Sequence, residues 1–524
     1  VKGLGDGSLI DYDVSAQEQT WVPIADSVPP VSLEAHEVLK PDVVVPTLDT
    51  TRHESLLFDL LNQEKPLLLC GPPGSGKTMT LYNALRRREN CDVVGLNFSK
   101  ETTVQLLLKT LEQHTAYSST SQGLVMQPRS AAKQLVVFCD EINLPKLDAY
   151  GSQPVILFIR QLVEKQGFWH SGNNQWVTVE RIQVVGACNP PTDAGRTDMT
   201  RRFTRHAAVV MVDYPGTVSL AHIYNVFFAA VLKLSPELRG FSKELTAASL
   251  EVYHRCKGAF TADTQPHYIY SPRELTRWVR GIYHAIAGRS QTSLAYLVKI
   301  WAHEALRLFC DRLVDESERR VFHELLKNAV SKHFPNQASG DLEPSSLLFT
   351  NWLSLEYKQA ERHELTQFVR ERMKTFCEEE LETDLIIYDD MVDNMLRMDR
   401  VLRQVQGHAI LVGPSRSGKT TITRFVSWIN GLRVVQPSIH RNFTLQDFDD
   451  FLRGLLQSCA TENQKTCLII DESNILETSF LERMNTLLAN SDVPGLFEAE
   501  EYDALISRIS QRVQQLGLLL DTEQ

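Results

Sequence analysis

A short apolar run, Leu67-Leu68-Leu69-Cys70, stops at a glycine and is followed by Gly71-Pro72-Pro73-Gly74-Ser75-Gly76-Lys77-Thr78. The spacing is GxxxxGK[ST], and each residue type has a task. Gly71, Gly74 and Gly76 let the backbone turn tightly enough to aim its N–H groups at phosphate oxygens. Lys77 has the reach for β- and γ-phosphates, and the Thr78 hydroxyl can hold Mg2+. The helix expected from Lys77 onward adds the positive end of its dipole. Pro72, Pro73 and Ser75 complete the cradle. The bland alternative is a chance glycine turn, which the strand-then-helix context disfavours.

A second copy sets the architecture. His408-Ala409-Ile410-Leu411-Val412 reads as a strand running into Gly413-Pro414-Ser415-Arg416-Ser417-Gly418-Lys419-Thr420. The two lysines lie more than a whole domain apart, so a module is repeated rather than a short solenoid unit. Arg416 stands where the first loop has Gly74. A side chain there limits the backbone, which puts nucleotide exchange at the second loop in question.

A chain of 524 residues suits two to four domains, each with a full core. Its net charge of −11 argues against nucleic acid as a partner, since that needs a basic face. No run of about 18 apolar residues exists, so no membrane span is expected. Nine cysteines occur without CxxC or metal-ligand spacing, which suits a reducing compartment. The chain opens without methionine or signal peptide and is read as a piece of something longer.

Taken in order, residues 1–40 suggest a hairpin or connector around Gln19-Thr20-Trp21-Val22. The segment Pro41 to Thr47 is extended, ahead of a helix over 51–62. Such a segment often lines a base pocket, through Val45 and Thr47 here, although a plain linker strand suits it equally. From 41 to 215, apolar runs at 67–70, 92–97, 134–139, 182–188 and 207–212 alternate with helical patterns. That alternation predicts an α/β subdomain, a mainly parallel sheet with helices on both faces. Ligands of such sheets gather at the strands' carboxyl ends. Asp140 and Glu141 close the 134–139 run as a Walker B pair: the aspartate for the Mg2+ shell, the glutamate for the attacking water. Asn189 closes the 182–188 run and could orient that water, or simply begin an Asn-Pro turn. Gly167 to Arg181 reads as a hairpin insertion. Arg201, Arg202 and Arg205 are expected to close the last helix before the final strand, as dipole partners or as arginines offered to a neighbour's phosphate.

Residues 216–340 switch to helical period. Ser271-Pro272-Arg273-Glu274 reads as a capped helix start. Arg273 then opposes the helix dipole, a placement that suggests an anionic client rather than a surface ion pair. One long helical stretch is expected over Tyr296–Lys332. Residues 341–384 form a connector with a helix near 363–380. Residues 385–524 repeat the front of the module: extended Leu385-Ile386-Ile387, helix, loop, a strand ending in Asp471-Glu472, and a helix over 477–490. No second Asn-Pro strand and no second terminal arginine follow.

Two phosphate loops, each with a later Asp-Glu strand, and a helical lid carrying an arginine together form the AAA+ pattern. The wording Val136 to Pro145, Val185 to Arg196, His267 to Leu275 and Phe480 to Asn490 resembles the dynein heavy-chain family. The resemblance spans nearly the whole chain, as a third AAA+ module entire and the front of a fourth, truncated one. It implies ATP or ADP with Mg2+ as cofactors. Lys77, Thr78, Asp140 and Glu141 become the third module's nucleotide residues, with Asn189 and Arg273 as its two sensors. Arg205, or Arg202 beside it, becomes the finger serving a preceding module. Lys419, Thr420, Asp471 and Glu472 fill the same places in the fourth. The family's third module is a regulatory switch for the microtubule motor. The implied partners are neighbouring modules of the same chain, microtubules through other parts, and accessory subunits, all in the cytoplasm. The isolated piece is expected to be weakly active. Another single-chain AAA+ remodelling ATPase, or a scaffold that binds nucleotide without turnover, are the alternatives.

Overall fold

The computed structural model describes residues 9–515, apart from 16–19, 41–42, 87, 89, 122, 131–132, 171, 173, 194, 290–291, 337–346, 355, 381–385, 405–406, 463, 491–492, 494 and 498. The expected extended residues Pro41, Asp42 and Leu385 lie outside the described residues. Two compact units form: residues 1–54, 73–80 and 213–430 make one, and 55–72, 81–212 and 431–524 the other.

The chain opens with the hairpin β1 (Tyr12–Ser15) and β2 (Thr20–Pro23), followed by α1 (Leu48–Asn62). Next come β3 (Leu67–Cys70), α2 (Lys77–Arg86), β4 (Cys91–Asn97), α3 (Val104–His114), β5 (Thr115–Thr120), β6 (Gly123–Pro128), β7 (Gln134–Asp140) and α4 (Pro154–Lys165). They are followed by β8 (Gly167–Trp169), β9 (Trp176–Val179), β10 (Ile182–Cys188), α5 (Arg201–Thr204) and β11 (Ala208–Met211). The five apolar runs read from the sequence are the five strands of one parallel sheet, in the order β11-β3-β10-β7-β4. Their alternation explains why they read as continuous hydrophobic runs. Leu67 and Leu69 enter one core with Val136, Phe138, Val185 and Ala187. Leu68, Leu135, Val137 and Cys139 enter the other. Strands buried on both faces need apolar residues at every position.

A second, four-stranded sheet has the order β5-β6-β9-β8. Its β8–β9 half is the expected insertion hairpin. The β5–β6 half carries Thr115-Ala116-Tyr117-Ser118-Ser119-Thr120, polar enough to give no strand signal.

The helical part contains α6 (Thr217–Leu232), α7 (Ser242–Ala259), α8 (Pro272–Ile286), α9 (Leu294–Ala305) and α10 (Glu316–His333). Its core is anchored by Trp278 and Trp301, stacked at 5.0 Å, each with its indole N–H bonded. The expected single helix over Tyr296–Lys332 is interrupted. After α9 comes one π-helical turn, Leu306–Cys310, and α10 restarts at Asp315 with a capping box to Glu318. An Asp-x-x-Glu start signal inside the helical stretch outweighs its helical period.

The short pair β12 (Phe349–Thr350) and β13 (Lys358–Gln359) leads to α11 (Arg362–Glu379), α12 (Asp389–Leu402) and α13 (Lys419–Ile429), which share a core around Phe376, Met395 and Phe425. In the other unit, β14 (Arg433–Val435), α14 (Leu445–Glu462), β15 (Thr466–Leu468), α15 (Thr478–Asn490) and α16 (Ala499–Gln515) follow. β14 and β15 pair in parallel, and Phe448 stacks on Phe480 at 4.7 Å. The expected strand over 408–412 is absent. Ile410 and Val412 are 92% and 93% exposed, and no ladder partner faces them among the described residues. An apolar run supplies faces to bury but not the neighbouring strand that a parallel ladder requires.

A buried charge group ties α9 to α12. Glu304 is 2% exposed and is paired by Arg400. Burial opposes its charge, but the Arg400 guanidinium, with Arg307 and His303 beside it, holds its carboxyl below the usual range. Arg400→Ala leaves an uncompensated buried carboxylate, an expected loss of about 3–5 kcal/mol measurable by denaturant unfolding. Beside it, burial pushes the His303 imidazole down to about 3. An unfolded histidine takes up its proton near about 6.5. His303 therefore stabilises the fold fully above that pH, and the contribution drains away as pH falls towards about 3. A lower urea midpoint at pH 5 than at pH 7, with a smaller drop in His303→Gln, is the expected result.

Candidate nucleotide site

The carboxyl ends of three adjacent strands carry the chemistry. Cys70 of β3 pairs in register with Cys188 of β10, and Cys139 of β7 with Gly186. Gly71, Asn189 and Asp140 are thus each the last or next residue of a neighbouring strand. Backbone bonds stitch these ends together. Gly71 N–H donates to Cys188 O at 3.1 Å, and Ile142 N–H donates to Ala187 O at 3.0 Å. Asn143 Nδ2 donates to the Asn189 carbonyl at 2.9 Å. Glu141 has φ +55°, a left-handed conformation uncommon without glycine. Asp140 Oδ1 accepts its N–H at 2.9 Å and helps to hold it. The Glu141 carboxylate is ion-paired with Arg196.

The crown of the first loop has the form that anion binding requires. Gly74 and Gly76 have φ +77° and +91°, and Lys77 opens α2. Ser75 Oγ is buried without a hydrogen-bond partner among the described residues, an orphan that a bound phosphate group would satisfy. A Cβ at Gly74 would lie 2.9 Å from both Cβ and Oγ of Ser271. Ser271 caps α8, and its capping box with Glu274 is formed as the sequence indicates. The crown therefore rests directly on the helix start that carries Arg273, whose Cγ is 3.6 Å from the same point. Arg273 makes no ion pair among the described residues. Tyr214 OH donates to Pro73 O at 3.0 Å, a clamp on the loop that sequence reading missed. Val45 is buried in the helical core, and the Thr47 hydroxyl accepts the Thr50 N–H at the start of α1.

The second loop repeats the two left-handed positions of the first. Arg416 has φ +64° and Gly418 φ +81°, matching Gly74 and Gly76. The side chain is thus accommodated in the left-handed region, at a cost of about 1–2 kcal/mol. Gly74→Arg meets a different obstacle, because Ser271 blocks the space. ATP affinity at the first loop is expected to fall at least about tenfold, read by calorimetry. Lys419 Nζ bonds the carbonyls of its own loop, Gly413 at 2.5 Å and Pro414 at 2.9 Å. Asp471 Oδ1 accepts the Glu472 N–H at 2.7 Å, repeating the Asp140–Glu141 turn contact.

Residues 35–215 match the family described as the P-loop containing dynein motor region, and 227–319 the dynein heavy chain ATPase lid domain. Residues 383–524 match the P-loop containing dynein motor region D4. Cytoplasmic dynein heavy chain from Eremothecium gossypii is 64% identical over 520 residues, covering 99% of this chain and 13% of the relative. Those from Saccharomyces cerevisiae and Drosophila melanogaster are 53% and 51% identical, over 100% and 99% of this chain and 13% and 11% of theirs. The chain belongs to the dynein heavy-chain family.

It spans about an eighth of the length of these dynein relatives. Its fold is that of AAA+ dynein motor modules: a parallel sheet with helices on both faces, and a helical lid. In this dynein segment the last helix before β11 is the four-residue α5, which contains Arg201 and Arg202 and is capped at its C-terminal end by Arg205. Its side chain is 59% exposed, 3.5 Å from Glu164 and 3.0 Å from the His206 ring. Arg202 is also exposed. Arg196 had no role assigned from the sequence. Its only signal was a lone basic residue downstream of Asn189-Pro190.

Proposed function

We propose that this segment is the nucleotide-responsive part of a dynein motor ring, a third module followed by the front of a fourth, with ATP as its substrate. The phosphate loop carries the reading: left-handed Gly74 and Gly76, the orphaned Ser75 hydroxyl, and Lys77 at a helix start. Backbone N–H groups from Gly71 to Gly76 bind the phosphates, and Lys77 neutralises them. Mg2+ held through Thr78 and Asp140 would supply further charge compensation on the phosphates. Glu141 takes the proton of the attacking water, which Asn189 orients. Arg273 meets the terminal phosphate from the α8 start. Arg205, with Arg202 as the alternative, faces solvent and serves a neighbouring module. Val45 and Thr47 contribute shape rather than free polar groups to a base pocket.

The second loop, Gly413 to Thr420, holds nucleotide in the same manner, with Asp471 and Glu472 in the corresponding roles. Lys419 must first release its own loop carbonyls, which favours slower exchange there. Hydrolysis at the first loop acts as a switch on the motor's hold on microtubules, in the cytoplasm for which the relatives are named. In the full-length heavy chain, Glu141→Gln is expected to slow microtubule gliding. Wild-type velocity would remove the switch role.

A further inference from the structure

We propose that Arg196 is a latch on the Glu141 carboxylate, a positioning residue that holds the base closed and sets when it accepts a proton. The inference rests on the reading of Glu141 as the base.

The two side chains approach from different segments. Glu141 follows β7, and its direction is set by a left-handed backbone that does not persist unless its surroundings hold it. Those surroundings are visible. Leu144 N–H donates to Glu141 O at 2.9 Å, and the next residue, Ile142, is wholly buried. Arg196 belongs to the segment after Asn189. Its own N–H donates to Asp193 O at 3.3 Å, and the following Thr197 N–H donates to Asn143 O at 3.1 Å. With Asn143 Nδ2 bonded to the Asn189 carbonyl, the water-orienting segment and the base segment are sewn together at two points, one backbone to backbone and one through the Asn143 side chain. The Arg196–Glu141 ion pair is the third, and it is the one that involves the reacting group.

Both side chains are largely shielded, at 13% and 26% exposure, so water screens the pair only in part. When Glu141 accepts a proton from water, its carboxylate loses its charge, and the guanidinium loses its anion while still partly buried. Opening the pair first avoids that penalty. Proton transfer then waits on a displacement of Arg196 and the adjoining Thr197, whose amide is bonded to Asn143 O. The guanidinium keeps its own proton throughout.

The test uses the full-length heavy chain with its other phosphate-loop lysines, Lys419 included, changed to alanine. Two quantities are read: single-turnover ATP hydrolysis, and hydrogen exchange at the Thr197 amide. Arg196→Ala is expected to raise the hydrolysis rate by roughly fivefold or more, the scale of one released coupling. Arg196→Lys, which keeps the cation, should restore the slower rate. Thr197 exchange should rise in Arg196→Ala and also in Glu141→Gln, which cuts the pair from the other side. An unchanged or slower rate in Arg196→Ala overturns the latch, as does unchanged Thr197 exchange in both variants. Wild-type hydrolysis in Glu141→Gln would instead remove the base assignment, whatever Arg196 does.

Discussion

Lys77→Ala is expected to empty the first loop of nucleotide while the fold stays intact. A charge-assisted phosphate contact contributes about 1.5–3 kcal/mol, roughly a 10- to 150-fold change in affinity. The lysine side chain is itself buried, but the helix keeps its apolar anchors without it. Lys77 begins α2, where alanine is a good helix former, and the apolar residues that anchor the helix are Leu81, Ala84 and Leu85. With Lys419→Ala in the background, calorimetry should then give an affinity at least about tenfold weaker than that of the single Lys419→Ala variant. The same affinity with and without Lys77 would place the phosphates elsewhere.

Glu141→Gln should have the opposite signature, with nucleotide retained and cleavage lost. The amide copies the carboxylate's shape, but it loses the charge that pairs with Arg196 and cannot take the proton of water. General-base removal costs about 10²–10⁴ in rate. The left-handed backbone at Glu141 is unaffected by this change, so misfolding is not a competing cause. Single-turnover hydrolysis with only Lys77 intact among the phosphate-loop lysines is the measurement. A rate within a few-fold of wild type would mean that another group is the base.

The sheet was legible because its strands are buried on both faces, and residues such as Leu67, Leu68 and Leu69 have no polar side to hide. The same pattern misled at Ile410-Leu411-Val412, where no neighbouring strand pairs with the run among the described residues. Ser271-Pro272-Arg273-Glu274 was legible because a capping box is local: its donors and acceptors lie within four residues. What stayed hidden is what depends on residues distant in sequence. Nothing local announces that Arg196 meets Glu141, that Tyr214 holds Pro73, or that Ser271 fills the space above Gly74. At Arg416 the missing glycine leaves the backbone in the left-handed region, φ +64°, as at Gly74. The interruption between α9 and α10 was readable in principle, since Asp315 and Glu318 are a start signal, but helical period masked it.

The most direct measurement is the identity of the nucleotide held at the first loop. In the full-length heavy chain with only Lys77 intact among its phosphate-loop lysines, labelled ATP is bound, excess is removed, and the retained label is separated after several turnover times. ADP should dominate in that chain, ATP should dominate once Glu141→Gln is added, and no label should remain once Lys77→Ala is added. Equal ADP fractions with and without Glu141→Gln, or label retained without Lys77, would contradict a hydrolytic site built on this loop.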